Sequence, residues 1–228
     1  MATMIPYDEF SYFADNASEF GIAYTGPPTV CRVTTEVSSG RQLSALVWGT
    51  EPAEFVLIHG GAQNAHTWDT VALALGRPLV AIDLPGHGHS DAVETGRAQH
   101  RAEAMATDVA HAITDLAPSA KAVVGMSLGG LTAILVAEAR PDLVRRLVLV
   151  DITPGVNREK AKAIFDFVRG PAAFTSFEEL LRRTMEHNPT RTESSLRRGI
   201  LHNAVQLDDG SWVAAAPRSD PRRPSAGS

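Results

Sequence analysis

A serine between two glycines gives the strongest chemical signal in this chain. Ser127 lies in the run Gly125-Met126-Ser127-Leu128-Gly129, after a short apolar segment and before a segment typical of a helix. A sharp turn from strand to helix leaves no room for Cβ atoms beside the serine, which would explain both glycines. The turn would point the hydroxyl toward the unpaired N–H groups that begin the helix. The pattern therefore predicts a nucleophilic serine; the alternative is a plain glycine-rich turn.

A second glycine pair follows another apolar segment, in the run His59-Gly60-Gly61-Ala62. Glycines here allow the backbone to turn across the end of a strand with its amides facing a bound oxygen. The amide of Gly61 or Ala62, together with that of Leu128, could then stabilise an oxyanion. The alternative is a loop glycine pair that binds nothing.

A third loop contains Asp83 and two histidines, His87 and His89, two residues apart. The histidines invite comparison with a metal site, but no third ligand follows at a suitable spacing. We therefore expect a structural turn in which Asp83 caps the loop. The glycines here and at residues 125–130 match neither a dinucleotide fingerprint nor a phosphate-binding P-loop.

Strands alternate with helices over the first two thirds of the chain, as in βαβ units with a mostly parallel sheet. Apolar runs predict six strands, within residues 29–37, 41–48, 55–61, 78–86, 121–127 and 143–151. Amphipathic patterns predict helices over residues 68–75, 97–116 and 128–139. The catalytic motifs thus fall at the carboxyl ends of buried strands.

The pattern changes after Asp151. Three charged amphipathic segments, residues 157–169, 176–187 and 192–206, predict a helical lobe without strands. From Ala214 to Ser228 only six residue types occur, none of them apolar and larger than alanine. This stretch is interpreted either as a disordered terminus or as out-of-frame translation.

Taken together, HGG, DLPGHGHS, GMSLGG and LVLVDITPG occur in this order and resemble the motifs of the α/β-hydrolase family. The resemblance spans about residues 29–155. It implies an α/β fold with helices on both faces of a mostly parallel twisted sheet, a helical cap after the sixth strand, and Ser127 as nucleophile. It also implies an oxyanion hole formed by Gly61 and Leu128. A serine at the nucleophile position disfavours the epoxide-hydrolase and haloalkane-dehalogenase branches, whereas cleavage of an ester-like or C–C bond stays open.

The family's acid and histidine are harder to place. They normally follow the seventh and eighth strands, for which no segment is found, so the last two strands are expected to be missing. Asp151 could be the acid, although a structural aspartate is the alternative. His187 and His202 are expected to be surface or packing histidines, and His59 to be structural. The expected function is therefore a hydrolase impaired by loss of its histidine, or a non-catalytic ligand-binding protein of the same fold.

Composition sets the remaining expectations. The 228-residue chain has a net charge of −5 and a hydrophobic fraction of 44%, which exclude a disordered chain and argue against nucleic-acid or membrane partners. The lone Cys31 and an N-terminus without basic residues favour the cytoplasm.

No cofactor is expected, because serine acyl transfer needs none. The expected partners are a small-molecule substrate and, through an exposed edge at residues 147–150, a second copy of the chain. The predicted regions are a leader (1–28), a hydrolase core (29–155), a cap (156–213) and a tail (214–228).

Overall fold

Six strands form the central sheet of the protein, which we describe from a computed structural model covering residues 5–37, 40–91, 102–152 and 173–214. The strands are β1 (Val30–Glu36), β2 (Gln42–Trp48), β3 (Phe55–Ile58), β4 (Leu79–Ile82), β5 (Ala122–Met126) and β6 (Leu147–Val150). Their order across the sheet is β1-β2-β4-β3-β5-β6. All six predicted strands are confirmed.

The sheet is antiparallel at one side and parallel through the rest. β1 pairs antiparallel with β2, and β2 pairs antiparallel with β4. β3 runs parallel to both β4 and β5, and β5 runs parallel to β6. The carboxyl ends of β3 to β6 therefore meet at one edge, where parallel sheets place their ligand sites.

Helices cover both faces of the sheet, as predicted. They are α1 (Phe13–Phe20), α2 (Asp69–Leu75) after a 3₁₀ turn (Ala65–Trp68), α3 (Ala102–Leu116) and α4 (Leu128–Ala139). On one face Met105, Val109 and Val136 from α3 and α4 pack against the strands. On the other face Phe13 and Trp68 pack against Leu57 and Trp48. Burial on both faces explains the continuous apolar runs of the central strands.

The lobe after the sixth strand contains strands, which corrects the prediction of a purely helical cap. Its elements are β7 (Ala173–Phe174), α5 (Phe177–His187), α6 (Glu193–Asn203), β8 (Ala204–Gln206) and β9 (Trp212–Ala214). β9 pairs antiparallel with both β7 and β8. The predicted third helix therefore ends before Ala204, because the chain turns there into a small sheet. Ala214, assigned above to the tail, is the last residue of β9, and the predicted helix over 157–169 lies outside the described residues.

A small separate core stabilises this lobe. Phe174, Phe177, Leu196 and Trp212 are buried together, and the rings of Phe177 and Trp212 meet edge to face at 5.1 Å. Ser176 and Thr192 cap α5 and α6 by accepting hydrogen bonds from backbone amides three residues later. Among the described helices, none is long and apolar enough to cross a membrane.

A buried charge cluster ties the N-terminal segment to the carboxyl edge of the sheet. Arg32 lies between Glu9 and Asp83, with 2.7 Å from a guanidinium nitrogen to each carboxylate. His66 lies between Glu9 and Asp69, with ring nitrogens 3.0 Å and 2.8 Å from their oxygens. Burial alone would lower the pKa of His66, but the charge and hydrogen bonds of the two carboxylates outweigh it and raise the pKa to about 9. His66 is therefore an imidazolium at neutral pH.

This cluster predicts a stability that depends on pH. The ordinary pKa of histidine is 6.5 and that of folded His66 is about 9, so its stabilising effect is complete below pH 6.5 and is lost as the pH rises through 9. The shift corresponds to a loss on the order of 3 kcal/mol in the free energy of unfolding. His66→Gln should be less stable at pH 6.5 and show a flatter profile, measured by urea unfolding at a series of pH values. His111→Gln, at an exposed position on α3, should keep the wild-type profile; a steep profile in His66→Gln would contradict the assignment.

Candidate active site

Ser127 occupies a strained turn between β5 and α4. Its backbone has φ 49° and ψ −115°, a left-handed conformation that costs free energy for a residue with a side chain. Two backbone hydrogen bonds hold the turn in place. The Ser127 N–H donates to the carbonyl of Val150 at 3.0 Å, and the N–H of Leu131 donates to the carbonyl of Ser127 at 3.0 Å. The strain is therefore maintained by the neighbouring strand and by the first turn of the helix.

Close packing around this turn requires glycine, as the sequence predicts. A Cβ on Gly129 would lie 2.4 Å from the carbonyl oxygens of both Ile58 and His59. A Cβ on Gly125 would lie 2.6 Å from the carbonyl oxygen of Gly129 and 2.7 Å from Cα of Gly130. Real Cβ atoms do not approach backbone this closely. The glycines on both sides of Ser127 thus allow α4 to approach the ends of β3 and β5.

The glycine loop after β3 lies directly against the serine turn. The position of a Cβ on Gly60 is 3.4 Å from Cβ of Ser127, and that on Gly61 is 3.8 Å from the Leu128 side chain. Gln63 supports the loop, since its Oε1 accepts the Gly60 N–H at 2.9 Å. Leu128 is the first residue of α4, so its N–H has no carbonyl partner within the helix. The structure thus brings Gly61, Leu128 and Ser127 together.

His59 holds this loop and is structural, as predicted. Its Nδ1 donates to the carbonyl of Gly60 at 2.7 Å, and its Nε2 accepts the N–H of Leu84 at 2.9 Å. Complete burial lowers its pKa, so the ring is neutral. Because both nitrogens are engaged by backbone groups, His59 has none left to accept a proton from Ser127.

Asp83 caps the neighbouring loop, which confirms the prediction of a structural turn. Its buried carboxylate accepts the N–H of Ala65 at 2.7 Å and the N–H of His89 at 3.0 Å. The nearby Arg32 and these amides outweigh the effect of burial and hold the pKa of Asp83 below its ordinary value. A Cβ on Gly88 would lie 2.4 Å from this carboxyl group, so the loop needs glycine there. His87 Nδ1 lies 3.1 Å from the carbonyl of Pro85, which ties it to its own loop.

Another group of potential metal ligands was not found by sequence reasoning. His66, Asp69 and His202 lie buried with their ligand atoms within 4.8 Å of one another. Both ring nitrogens of His66 bond to carboxylates, and the two imidazole rings stack at 3.9 Å with 14° between their planes. The lone pair of an imidazole nitrogen lies in the plane of its ring, so two parallel stacked rings do not direct their lone pairs at the same ion. The group therefore forms part of the charge cluster. The feature of the sequence that could have indicated this group is the close spacing of His66 and Asp69.

Asp151 lies beside the serine turn. It follows Val150, whose carbonyl accepts the Ser127 N–H, and Met126 pairs with Val150 in the register of β5 and β6. Its backbone has φ 52°, which ends β6 and turns the chain at the edge of the site. The side chain is exposed. The structure thus places Asp151 next to Ser127 without assigning it a role.

The two histidines that follow Ser127 lie elsewhere, in surface and packing positions as expected. His187 is exposed near the end of α5, where its Nδ1 lies 2.9 Å from the carbonyl of Arg183. His202 is buried against His66, and its Nδ1 lies 2.9 Å from the hydroxyl of Tyr7. In the part of the chain that the structure describes, neither histidine bonds to Ser127.

Comparison with known proteins finds similarity over most of the chain. A family model described as the alpha/beta hydrolase fold matches residues 55–227. Esterase Rv0045c of Mycobacterium tuberculosis is 44% identical over 213 residues, which cover 90% of this chain and 68% of the esterase. An sn-1-specific diacylglycerol lipase of Xenopus laevis is 31% identical over 165 residues, covering 66% of this chain and 50% of the lipase.

Solved structures give the same result. A crystal structure of the M. tuberculosis esterase superposes with a TM-score of 0.79 at 42% identity, covering 94% of this chain and 72% of the esterase chain. The crystal structure of E-2-(acetamidomethylene)succinate hydrolase superposes with a TM-score of 0.69 at 25% identity, covering 82% and 69%. The predicted fold, a mostly parallel sheet with helices on both faces, is therefore confirmed.

The packing at Gly129 predicts a large loss of stability on substitution. Gly129→Ala places a Cβ 2.4 Å from two backbone oxygens, so α4 must move away, at a cost of about 3 kcal/mol or more. Gly199→Ala is the matched control, because this glycine lies within α6 with nothing inside 4 Å of its Cβ position. That change should stabilise the helix by roughly 0.5–1 kcal/mol. Urea unfolding of both variants tests this, and equal effects would contradict the packing argument.

Proposed function

Since the chain belongs to the α/β-hydrolase family, we propose that it is a serine hydrolase that cleaves ester bonds of small molecules through Ser127. The observation that carries the proposal is the contact between the strained Ser127 turn and the Gly60-Gly61 loop. The similarity to an esterase supports an ester over a C–C bond.

In the proposed reaction Oγ of Ser127 attacks the carbonyl carbon of the ester, and the carbonyl π electrons move onto the oxygen. The N–H groups of Leu128 and Gly61 would stabilise this oxyanion, helped by the positive end of the α4 dipole. Collapse of the intermediate expels the alcohol and leaves an acyl group on Ser127. Water then releases the acid and restores the serine.

The proton of Ser127 needs an acceptor, and no described histidine reaches it. His59 is engaged at both nitrogens, and His202 is stacked in the charge cluster. We therefore propose that activity is impaired: an oxyanion hole and binding alone leave about 10³–10⁴-fold catalysis over water. Asp151 is the proposed acid of the site, since it lies beside Ser127, where it could orient a base.

The substrate pocket is proposed to lie between the carboxyl edge of the sheet and the lobe of α5, α6 and β7 to β9. Asn64 links the two, since its Nδ2 donates to the carbonyl of His202 at 2.8 Å and to the side chain of Asn203 at 2.9 Å. The same residue caps the turn after the glycine loop, because its Oδ1 accepts the N–H of His66. A lobe held so close to the oxyanion loop favours small acyl groups over long chains. The absence of a base among the described residues favours a second candidate, a ligand-binding protein without turnover.

Hydrolysis of p-nitrophenyl acetate and butyrate tests the proposed nucleophile. The unmodified chain should release p-nitrophenol faster than buffer, and Ser127→Ala should return the rate to that of buffer because no oxygen remains to attack. Ser18→Ala removes an exposed serine of α1 and should leave the rate unchanged. Full activity in Ser127→Ala would overturn the proposal, whereas thermal stabilisation by an ester without any release would establish the second candidate.

Chemical rescue tests the proposed impairment separately. Imidazole in solution can accept the proton that no described side chain accepts, so it should raise the Ser127-dependent rate several-fold. Ser127→Ala measured at each imidazole concentration gives the direct reaction of imidazole with the ester, which is subtracted. A high Ser127-dependent rate that imidazole does not change would show that the chain supplies its own base.

A further inference from the structure

Two side chains hold the glycine loop after β3, and together they set the direction of its amides. The N–H of Gly60 donates to Oε1 of Gln63 at 2.9 Å, and the carbonyl of Gly60 accepts a hydrogen bond from Nδ1 of His59 at 2.7 Å. A trans peptide is planar, so its N–H and C=O groups point in opposite directions. Each of these two bonds therefore also sets the direction of the group at the opposite side of its peptide.

The bond to His59 directs the N–H of Gly61. The carbonyl of Gly60 and the N–H of Gly61 belong to one peptide, and the carbonyl is turned toward the buried ring of His59. The N–H of Gly61 consequently points away from that ring. Gly61 is exposed, and no group in the described part of the chain accepts its N–H. This N–H is therefore free to stabilise an oxyanion, as the proposed reaction requires.

The bond to Gln63 acts on the preceding peptide. The N–H of Gly60 shares this peptide with the carbonyl of His59, which faces the first turn of α4: a Cβ on Gly129 would lie 2.4 Å from that carbonyl oxygen. Gln63 therefore binds the side of the peptide that points away from α4. Without this bond the peptide could rotate, which would change both its contact with α4 and the direction of the next peptide, the one that contains the N–H of Gly61.

The carboxamide of Gln63 also lies next to the proposed nucleophile. The place that a Cβ of Gly60 would take is 2.9 Å from Oε1 of Gln63 and 3.4 Å from Cβ of Ser127. Glycine at position 60 thus leaves the space in which the carboxamide approaches the loop beside the serine. Because an N–H donor requires an acceptor, the oxygen of the carboxamide, and not its NH₂ group, faces Gly60.

We propose that Gln63 is a positioning residue of the oxyanion hole, which holds the glycine loop against α4 and directs the N–H of Gly61 toward the oxyanion. This role rests on the proposed hydrolysis through Ser127. The negative charge on the oxygen develops in the transition state and is small in the bound ester. A displaced loop should therefore slow the chemical step, measured as kcat, more than it weakens substrate binding.

Hydrolysis of p-nitrophenyl butyrate tests this role, with the rate of Ser127→Ala subtracted. Gln63→Met keeps the length of the side chain without a strong acceptor, so kcat should fall roughly 10- to 100-fold while KM stays within about twofold. Gln206→Met is the matched control and should keep kcat, because Gln206 makes the same kind of bond to the N–H of Ile5 at 2.8 Å. Circular dichroism and thermal unfolding show whether each variant is folded.

Gln63→Glu separates the hydrogen bond from the residue type. Its carboxylate still accepts the N–H of Gly60, but a negative charge beside the oxyanion should lower kcat at neutral pH. As the pH falls and the carboxyl group is protonated, its carbonyl oxygen remains an acceptor and the charge disappears. The ratio of its kcat to that of the unmodified chain should therefore rise with falling pH. The same ratio for Gln63→Met should not depend on pH.

Hydrogen exchange of the Gly60 N–H, followed by NMR, tests the bond without turnover. Exchange should be slow in the unmodified chain and in Gln63→Glu, and roughly tenfold faster in Gln63→Met. A Gln63→Met variant that keeps kcat, changes only KM, or loses kcat without a change in Gly60 exchange would overturn the proposal. A chain without Ser127-dependent hydrolysis would refute the proposed function, and the exchange of Gly60 would still decide whether Gln63 holds the loop.

Discussion

The close contact between the first turn of α4 and the ends of β3 and β5 is the constraint on which the rest of the site depends. Gly129 lies so near the carbonyls of Ile58 and His59 that even a methyl group would separate helix and sheet. That approach forces Ser127 into its positive φ and directs the start of α4 toward the glycine loop. The position of the Ser127 hydroxyl beside Leu128 and the glycine loop is thus a consequence of backbone packing.

Two buried networks keep the loops around this contact in place. His59 connects the glycine loop to Leu84, and Asp83 connects the next loop to Ala65 and Arg32. Through Arg32 and Glu9 the second network extends to His66 and to the N-terminal segment. The titratable groups of this region therefore stabilise its loops through salt bridges and hydrogen bonds. His59, Asp83 and His66 are consequently engaged by groups other than Ser127.

Much of the core follows from local sequence pattern, and what does not follow depends on contacts between distant residues. The buried strands and the turn at Ser127 are visible because apolar runs and glycine spacing are local, and α4 has the predicted bounds Leu128–Ala139. The strands β7, β8 and β9 contain two or three residues each and exist through mutual pairing, which periodicity cannot reveal. Likewise, the bond between Glu9 and His66 and the stacking of His66 on His202 join residues far apart in the chain. The roles of Asp151 and of a proton acceptor, and a cytoplasmic location, stay predictions.

We propose that backbone packing presents Ser127 as a nucleophile beside the N–H groups of Leu128 and Gly61. Intact-mass and peptide mass spectrometry after long incubation with a fluorophosphonate measure this directly, because the reagent needs an attacking oxygen and a stabilised phosphoryl oxygen. We expect one adduct per chain, on the peptide that contains Ser127, in a protein that unfolds cooperatively. An equally well-folded protein that acquires no adduct, or acquires it on another serine, would contradict this proposal.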